Sequence, residues 1–351
     1  MKFITNLFKL GNAPSANRIG YLDFIRGVFI LLVLYHHSEA PYGRYILLFH
    51  MPALFILSGY TEYILNREKP FLTYVKSKFH RLIVPYFCFE ILNLLLYLLF
   101  QRYLEKSYFT IGEAFVSIVA CINNNYIGLY GRLWFLPAIF FSSVFSYLIK
   151  THSKGNPSII AAWCAVMFVL SYVSSRIIPH RLPFTIDTAF LGAAFSLIGY
   201  LFGNAIKNVF DNRNYWLDFL FLAVSAVVFV LCDQIADPVC LMYDNQYNDF
   251  PFMVICAIAG SAIVFIFAKY LFFATDKLPL LKKLILWYSN NSLAFFPMHL
   301  TVKIFSIIPL FYLSCYHWSS LLTMMFIFTV PAVNFITLYM PFMLGNFTRK
   351  Q

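Results

Sequence analysis

Tyr21–His37 reads YLDFIRGVFILLVLYHH, an apolar run of membrane length with Asp23 and Arg26 near its start and His36 and His37 at its far end. Leu, Ile and Val fill the middle, so the stretch is predicted to be a helix in lipid. A charge inside such a helix is costly and by default marks a functional site. Arg26 and His37 stand eleven residues apart. That leaves them about 20° apart around the helix and roughly 16 Å apart along its axis. His36 points about 80° away from Arg26. A cation and an imidazole on one stripe predict a polar path through the bilayer.

The rest of the chain has the same character. Of its 351 residues, 61% are hydrophobic and only 12% charged, against about 25% charged in an ordinary globular chain. This excludes a soluble domain and predicts an all-α, polytopic integral membrane protein. The net charge of +11 does not point to nucleic acid, because Lys and Arg gather in cytoplasmic loops and orient the helices. The seven cysteines show no CxxC or zinc-type spacing, so no metal is expected and they read as small core residues. Cys232 and Cys240 are the one pair that an extracytoplasmic loop would allow to bridge. No cleavable signal peptide is expected in residues 1–17, which are predicted to make a short amphipathic segment, Lys2 and Lys9 beside Phe3, Leu7 and Phe8, suited to the inner membrane surface.

Ten spans are predicted, each of about 20 residues to match a 30 Å hydrocarbon layer: 20–38, 45–65, 81–101, 133–150, 158–176, 186–205, 215–233, 252–273, 291–313 and 319–344. The segment 107–131, with Glu113 and the run Asn123, Asn124, Asn125, is less apolar and is expected to be interfacial or re-entrant. With a cytoplasmic N-terminus, most Lys and Arg fall on the cytoplasmic side. Only Arg44, Arg102, Lys106, Arg132, Arg176 and Arg181 lie opposite. The loop 233–251 holds Asp233, Asp237, Asp244 and Asp249 with no Lys or Arg. That bias obeys the positive-inside rule and puts both termini in the cytoplasm. One domain over 1–351 is expected: a cytoplasmic segment at 1–19, a helical bundle over 20–344 and a cytoplasmic tail at 345–351.

Four more stretches carry chemistry. His50, in Phe49-His50-Met51-Pro52, opens the second span close to His36 and His37, and Ser58, Gly59 and Tyr60 follow where small residues permit close helix packing. Between the second and third spans lies the densest basic cluster: Arg67, Lys69, Lys76, Lys78, His80 and Arg81. It reads either as a topology determinant that also attracts anionic lipid, or as a site for the phosphates of a cytoplasmic cofactor. Trp134, in Leu133-Trp134-Phe135-Leu136-Pro137, is by itself an interfacial anchor. His299 and Lys303 share a face of the ninth span, where a Lys faces the protein interior or water and pairs with an acid such as Asp23 or Glu90.

Taken in order, LDFIRGVFILLVLYHH, FHMPALFILSGY at 49–60, KFHRLIVPYF at 78–87, LWFLPAIF at 133–140 and NSLAFFPMH at 291–299 resemble the membrane acyltransferase-3 family. The branch resembled is that of the fucose 4-O-acetylase-like sugar O-acetyltransferases. The match extends across most of the chain, although 150–285 adds little beyond hydropathy. The family's arginine, ten intervening residues and histidine fall on Arg26 and His37, and the doubled histidine keeps His36 as an alternative. Its basic pair falls on Lys78 and Arg81, with Lys where Arg is usual. The resemblance implies acyl transfer, usually acetyl from acetyl-CoA, to a hydroxyl of a cell-envelope saccharide, lipid-linked or not. It also implies residence in the inner (cytoplasmic) membrane, among membrane lipid.

A sugar hydroxyl needs a general base, and neutral His suits that role. His37 is therefore the expected base, with His50 and His36 next in line. Arg26 is expected to orient the donor or stabilise charge. Lys78, Arg81 and Arg67 would hold coenzyme A phosphates, and Trp134 and His299 would line the acceptor site. The competing class is a transporter or flippase for sugars or lipid-linked saccharides, which ten spans broken near Pro52 and Pro297 would also suit. Nothing in the sequence fixes the oligomeric state.

Overall fold

The computed structural model describes residues 20–65, 69–104, 112, 118, 133–178, 181–211 and 214–345. Among them are twelve α-helices. They are α1 (Gly20–His37), α2 (Gly43–Leu65), α3 (Phe71–Leu104), α4 (Phe135–His152), α5 (Pro157–Ile177), α6 (Ile186–Leu201), α7 (Gly203–Asp211) and α8 (Tyr215–Ala236), then α9 (Phe250–Ala274), α10 (Pro279–Asn290), α11 (Ser292–Tyr312) and α12 (Trp318–Tyr339). A single antiparallel hairpin, β1 (Val239–Leu241) with β2 (Gln246–Asn248), interrupts the acidic loop before α9. The protein is an all-α, polytopic membrane chain. Residues 1–19, the tail beyond 345, Arg67 and nearly all of 107–131 lie outside the described residues, and so do the expectations placed on them.

Every predicted span falls on a long helix, but seven of these are long and apolar enough to cross a membrane by themselves: α3, α5, α6, α8, α9, α11 and α12. The three that fall short, α1, α2 and α4, carry Asp23, Arg26, His36 and His37, then Arg44, His50 and Glu62, then Lys150 and His152. All but Arg44 and His152 belong to the cavity or the histidine cluster described below.

Three boundaries differ by four residues or more from the sequence reading, one being the last span, predicted to 344, which ends at Tyr339. The third helix begins at Phe71, ten residues before the predicted 81, so Lys76, Lys78, His80 and Arg81 ride on a helix and not in a loop. Long basic side chains tolerate this because their stems lie along apolar surface while the charge reaches water. The predicted span 186–205 ends at Leu201, and the chain turns into the short α7. Cys232 and Cys240 are both free thiols, so the bridge does not form.

Burial concentrates on α1, α2, α6 and α9, where Phe24, Phe29, Phe55, Phe195 and Cys256 are fully enclosed. The most apolar window of α8 has no buried residue, and its Phe219, Val224, Val227 and Leu231 face outward. In lipid this costs nothing, because acyl tails are as apolar as the side chains. Helix association then relies on close packing and small residues. Gly59 of α2 and Gly199 of α6 supply this. A Cβ on Gly59 would lie 1.7 Å from the Ser196 carbonyl oxygen, and one on Gly199 would lie 1.9 Å from that of Ile56.

Candidate active site

A large cavity, about 980 Å³, opens among α2, α3 and α4, with Arg26 of α1 and the start of α11 completing its wall. Its lining follows helical periodicity. Leu54, Leu57, Ser58, Thr61 and Glu62 of α2 recur at the spacing of one helix face, and Tyr74, Ser77, Lys78, Arg81 and Leu82 of α3 repeat that spacing. From α4 and the turn after it come Tyr147, Lys150 and Lys154. A second cavity, about 480 Å³, shares Arg26, Ser77 and Arg81 with the first and extends toward His80, Asn290 and Asn291.

The cavity's polar walls are internally bonded. Arg26 pairs with Asp23, one helical turn away, at 2.9 Å. Tyr74 donates to Glu62 Oε1 at 2.6 Å, Lys78 Nζ lies 3.6 Å from the same oxygen, and Lys150 pairs with Glu62 Oε2. Lys78 also donates to Ser143 Oγ at 3.2 Å. Thus Arg26, Lys78 and Arg81, three of the predicted residues, converge on one space. Glu62, Tyr74, Lys150 and Lys154 join them, although the sequence reading gave none of these four a part in the chemistry. The signal that could have found them was the helical face itself. Glu62 sits four residues after Ser58 and eight after Leu54, on the same stripe.

At the other end of α1 four histidines meet. The ring centroids are 5.2 Å apart for His36 and His37, 5.4 Å for His36 and His50, and 4.7 Å for His37 and His299. His50 and His299 are buried. Three of the four are oriented by backbone carbonyls: Nδ1 of His36 bonds Gly43 O at 3.1 Å, that of His50 bonds Ile46 O at 2.7 Å, and that of His299 bonds Phe296 O at 2.6 Å. A carbonyl only accepts, so each Nδ1 carries the hydrogen and each Nε2 is left with a lone pair. His37 makes no hydrogen bond among the described residues, and the rings that pair with its own are those of His36 and His299. It is the one member of the four whose two nitrogens are both uncommitted. Among the described residues no group of three or more His, Cys, Asp or Glu side chains is arranged to hold a metal ion.

Arg26 and His37, predicted to lie on one polar path, do not share the lining of the large cavity: Arg26 is on it and His37 is not. Phe135 and Phe296 both line the cavity, with ring centroids 4.8 Å apart, and the Phe296 ring lies 6.5 Å from the His299 ring. Trp134 is likewise off the cavity lining. Its ring packs edge-on against Phe135, and its carbonyl accepts from the Thr185 hydroxyl at 3.1 Å.

Lys303 does not reach Asp23 or Glu90. It pairs at 2.8 Å with Glu39, in the turn after the histidines, and Tyr316 donates to the other carboxylate oxygen at 2.6 Å. Asp23 is taken by Arg26, and Glu90 accepts from the Leu133 N–H at 3.3 Å. The hydrogen bonds from Lys303 and Tyr316 hold the Glu39 carboxyl below its ordinary range, and Glu39 pushes the Tyr316 hydroxyl up to about 12. A carboxyl depressed on folding adds stability above its unfolded pKa and loses it as pH falls through the folded one. Thermal melts of the native protein and of Glu39→Gln should therefore differ by a constant amount above about pH 5, and the gap should shrink as pH falls through the lowered pKa of the folded carboxyl. A gap that widens in acid would contradict the geometry.

Neither a curated protein nor a solved structure matches the chain. A family model does: the Acyl_transf_3 model, described as an acyltransferase domain, covers residues 19–344 and so takes in both the cation-lined cavity and the histidine cluster. The chain belongs to the membrane acyltransferase-3 family.

Proposed function

We propose that this membrane acyltransferase moves a short acyl group, acetyl in the first instance, from an acyl-coenzyme A to a hydroxyl of a cell-envelope saccharide. The branch expected from the sequence, that of the fucose 4-O-acetylase-like enzymes, is part of the proposal. The observation that carries it is the separation of labour along α1, with a cation-lined cavity at one end and a cluster of imidazoles at the other.

Coenzyme A carries several phosphates, and Lys78, Arg81 and Arg26 supply the matching charge, the arginines with their bidentate fork. The cavity volume falls in the range of small-molecule sites, and the positive-inside pattern supports placing this end in the compartment where coenzyme A is made. At the opposite end His37 takes the proton of the acceptor hydroxyl. The oxygen then attacks the thioester carbonyl, the carbon–sulfur bond breaks, and the proton passes to the departing thiolate. Arg26, roughly 16 Å along the helix from His37, is too distant to serve the oxyanion and is assigned to the donor. Membership of the family gives the transporter alternative no support.

The test is incubation of the purified protein with radiolabelled acetyl-CoA, with and without envelope saccharide. Acceptor-dependent release of free coenzyme A, with label transferred to the saccharide, is expected. Release that ignores the acceptor, or no release, would end the proposal.

A further inference from the structure

Glu62 is the one acidic side chain among the described residues that line the large cavity, against Arg26, Lys69, Lys78, Arg81, Lys150 and Lys154. It is fully engaged, by the Tyr74 hydroxyl and by the ammonium groups of Lys78 and Lys150. The side chains of Glu62 and Lys150 are each 17% exposed and that of Lys78 is 26% exposed. Two largely buried ammoniums converging on one spot need a counter-charge, and without one each would carry its desolvation cost uncompensated. Glu62 meets that need within the protein. Neither lysine depends on it alone for position. Lys78 keeps its bond to Ser143, and Lys150 lies 4.9 Å from the centroid of the Tyr200 ring.

We propose that Glu62 is a built-in stand-in for a ligand phosphate, and that it sets which anions the cavity accepts. A tethered carboxylate has a high local concentration at the two lysines. A singly charged anion offers them nothing more and is refused. An anion with two or more phosphate groups brings more charge than the carboxylate and takes its place. This rests on reading the cavity as the donor site, and it adds a specificity-determining residue that the family resemblance did not supply.

The probe is inorganic pyrophosphate, titrated calorimetrically into the full-length protein in neutral detergent, with acetate as the singly charged control. Glu62→Gln keeps an acceptor for Tyr74 and removes the competing charge. It should bind pyrophosphate about tenfold more tightly than the native protein, the effect of one unit charge in a partly screened site. Acetate binding should be undetectable in the native protein and gained in the variant. Should Glu62→Gln not fold, Glu62→Asp, which withdraws the carboxylate by one methylene, should tighten pyrophosphate about threefold. Equal or weaker pyrophosphate binding by the variant that folds, or no pyrophosphate binding by any form, overturns the proposal. A protein that behaves as expected toward pyrophosphate yet never consumes acetyl-CoA loses the coenzyme reading and keeps this one.

Discussion

Replacing His37 with alanine is expected to lower kcat by about 10²- to 10⁴-fold, the usual worth of a positioned general base, with the KM for donor held within a few-fold. The prediction follows from the division of the site. His37 stands with its neighbouring imidazoles, apart from the cavity that Lys78 and Arg81 line. Lys78→Ala should show the opposite pattern, raising the donor KM about tenfold, as the loss of one charge-assisted contact does, and leaving kcat nearly intact. His36→Ala and His50→Ala should cost less than His37→Ala, because each Nδ1 is tied to a main-chain carbonyl and orients its ring beside His37. Initial rates with radiolabelled donor, on variants that elute as the native protein does, decide the matter. A larger loss at His36 would move the base to that residue, and full activity in His37→Ala would remove it.

Gly59→Val is expected to prevent the bundle from assembling. The added Cβ would sit 1.7 Å from the Ser196 carbonyl oxygen, a backbone atom that cannot swing away as a flexible side chain does. Helices α2 and α6 would have to separate by more than 1 Å, and Gly199 facing Ile56 at the next crossing leaves no slack. A cost above about 4 kcal/mol is expected, a size reached only when a named packing device is destroyed. Little monodisperse protein should be recovered in detergent. Ser58→Ala is the control. Ser58 lies next in sequence but faces the cavity, so its loss should change the melting temperature by no more than a few degrees. A Gly59→Val protein that melts with the native one would refute the crossing.

Much of this was legible in the sequence because lipid makes polar residues conspicuous. Arg26, the paired His36 and His37, His50 and His299 each break an apolar run, and each was singled out for that reason. The basic stretch ending at Arg81 was equally visible, although its place on α3 was not. A cluster of cations before an apolar segment reads as a loop when the helix in fact starts early. Glu62 and Lys150 were harder. Both lie near helix ends, where a charge looks like an ordinary boundary residue, and their meaning comes from a pairing 88 positions apart in the chain. Lys303 shows the same limit. Its need for an acid was clear, but Glu39 belongs to a turn, and a carboxylate in a turn is expected to face water. Trp134 had two readings, an interfacial anchor and a wall of the acceptor site; its ring packs edge-on against Phe135, a contact that neither reading named. The aromatic contact beside the histidines could not be read at all, since two phenylalanines 161 positions apart, Phe135 and Phe296, announce nothing about each other.

That aromatic contact bears on the cell's energy supply. A water-filled slot open at both faces of a coupling membrane would let protons run down their gradient through a chain of imidazoles well suited to pass them. The Phe135 and Phe296 rings, 4.8 Å between centroids, put apolar bulk into the cavity wall on the side toward His299, where it opposes a continuous file of water.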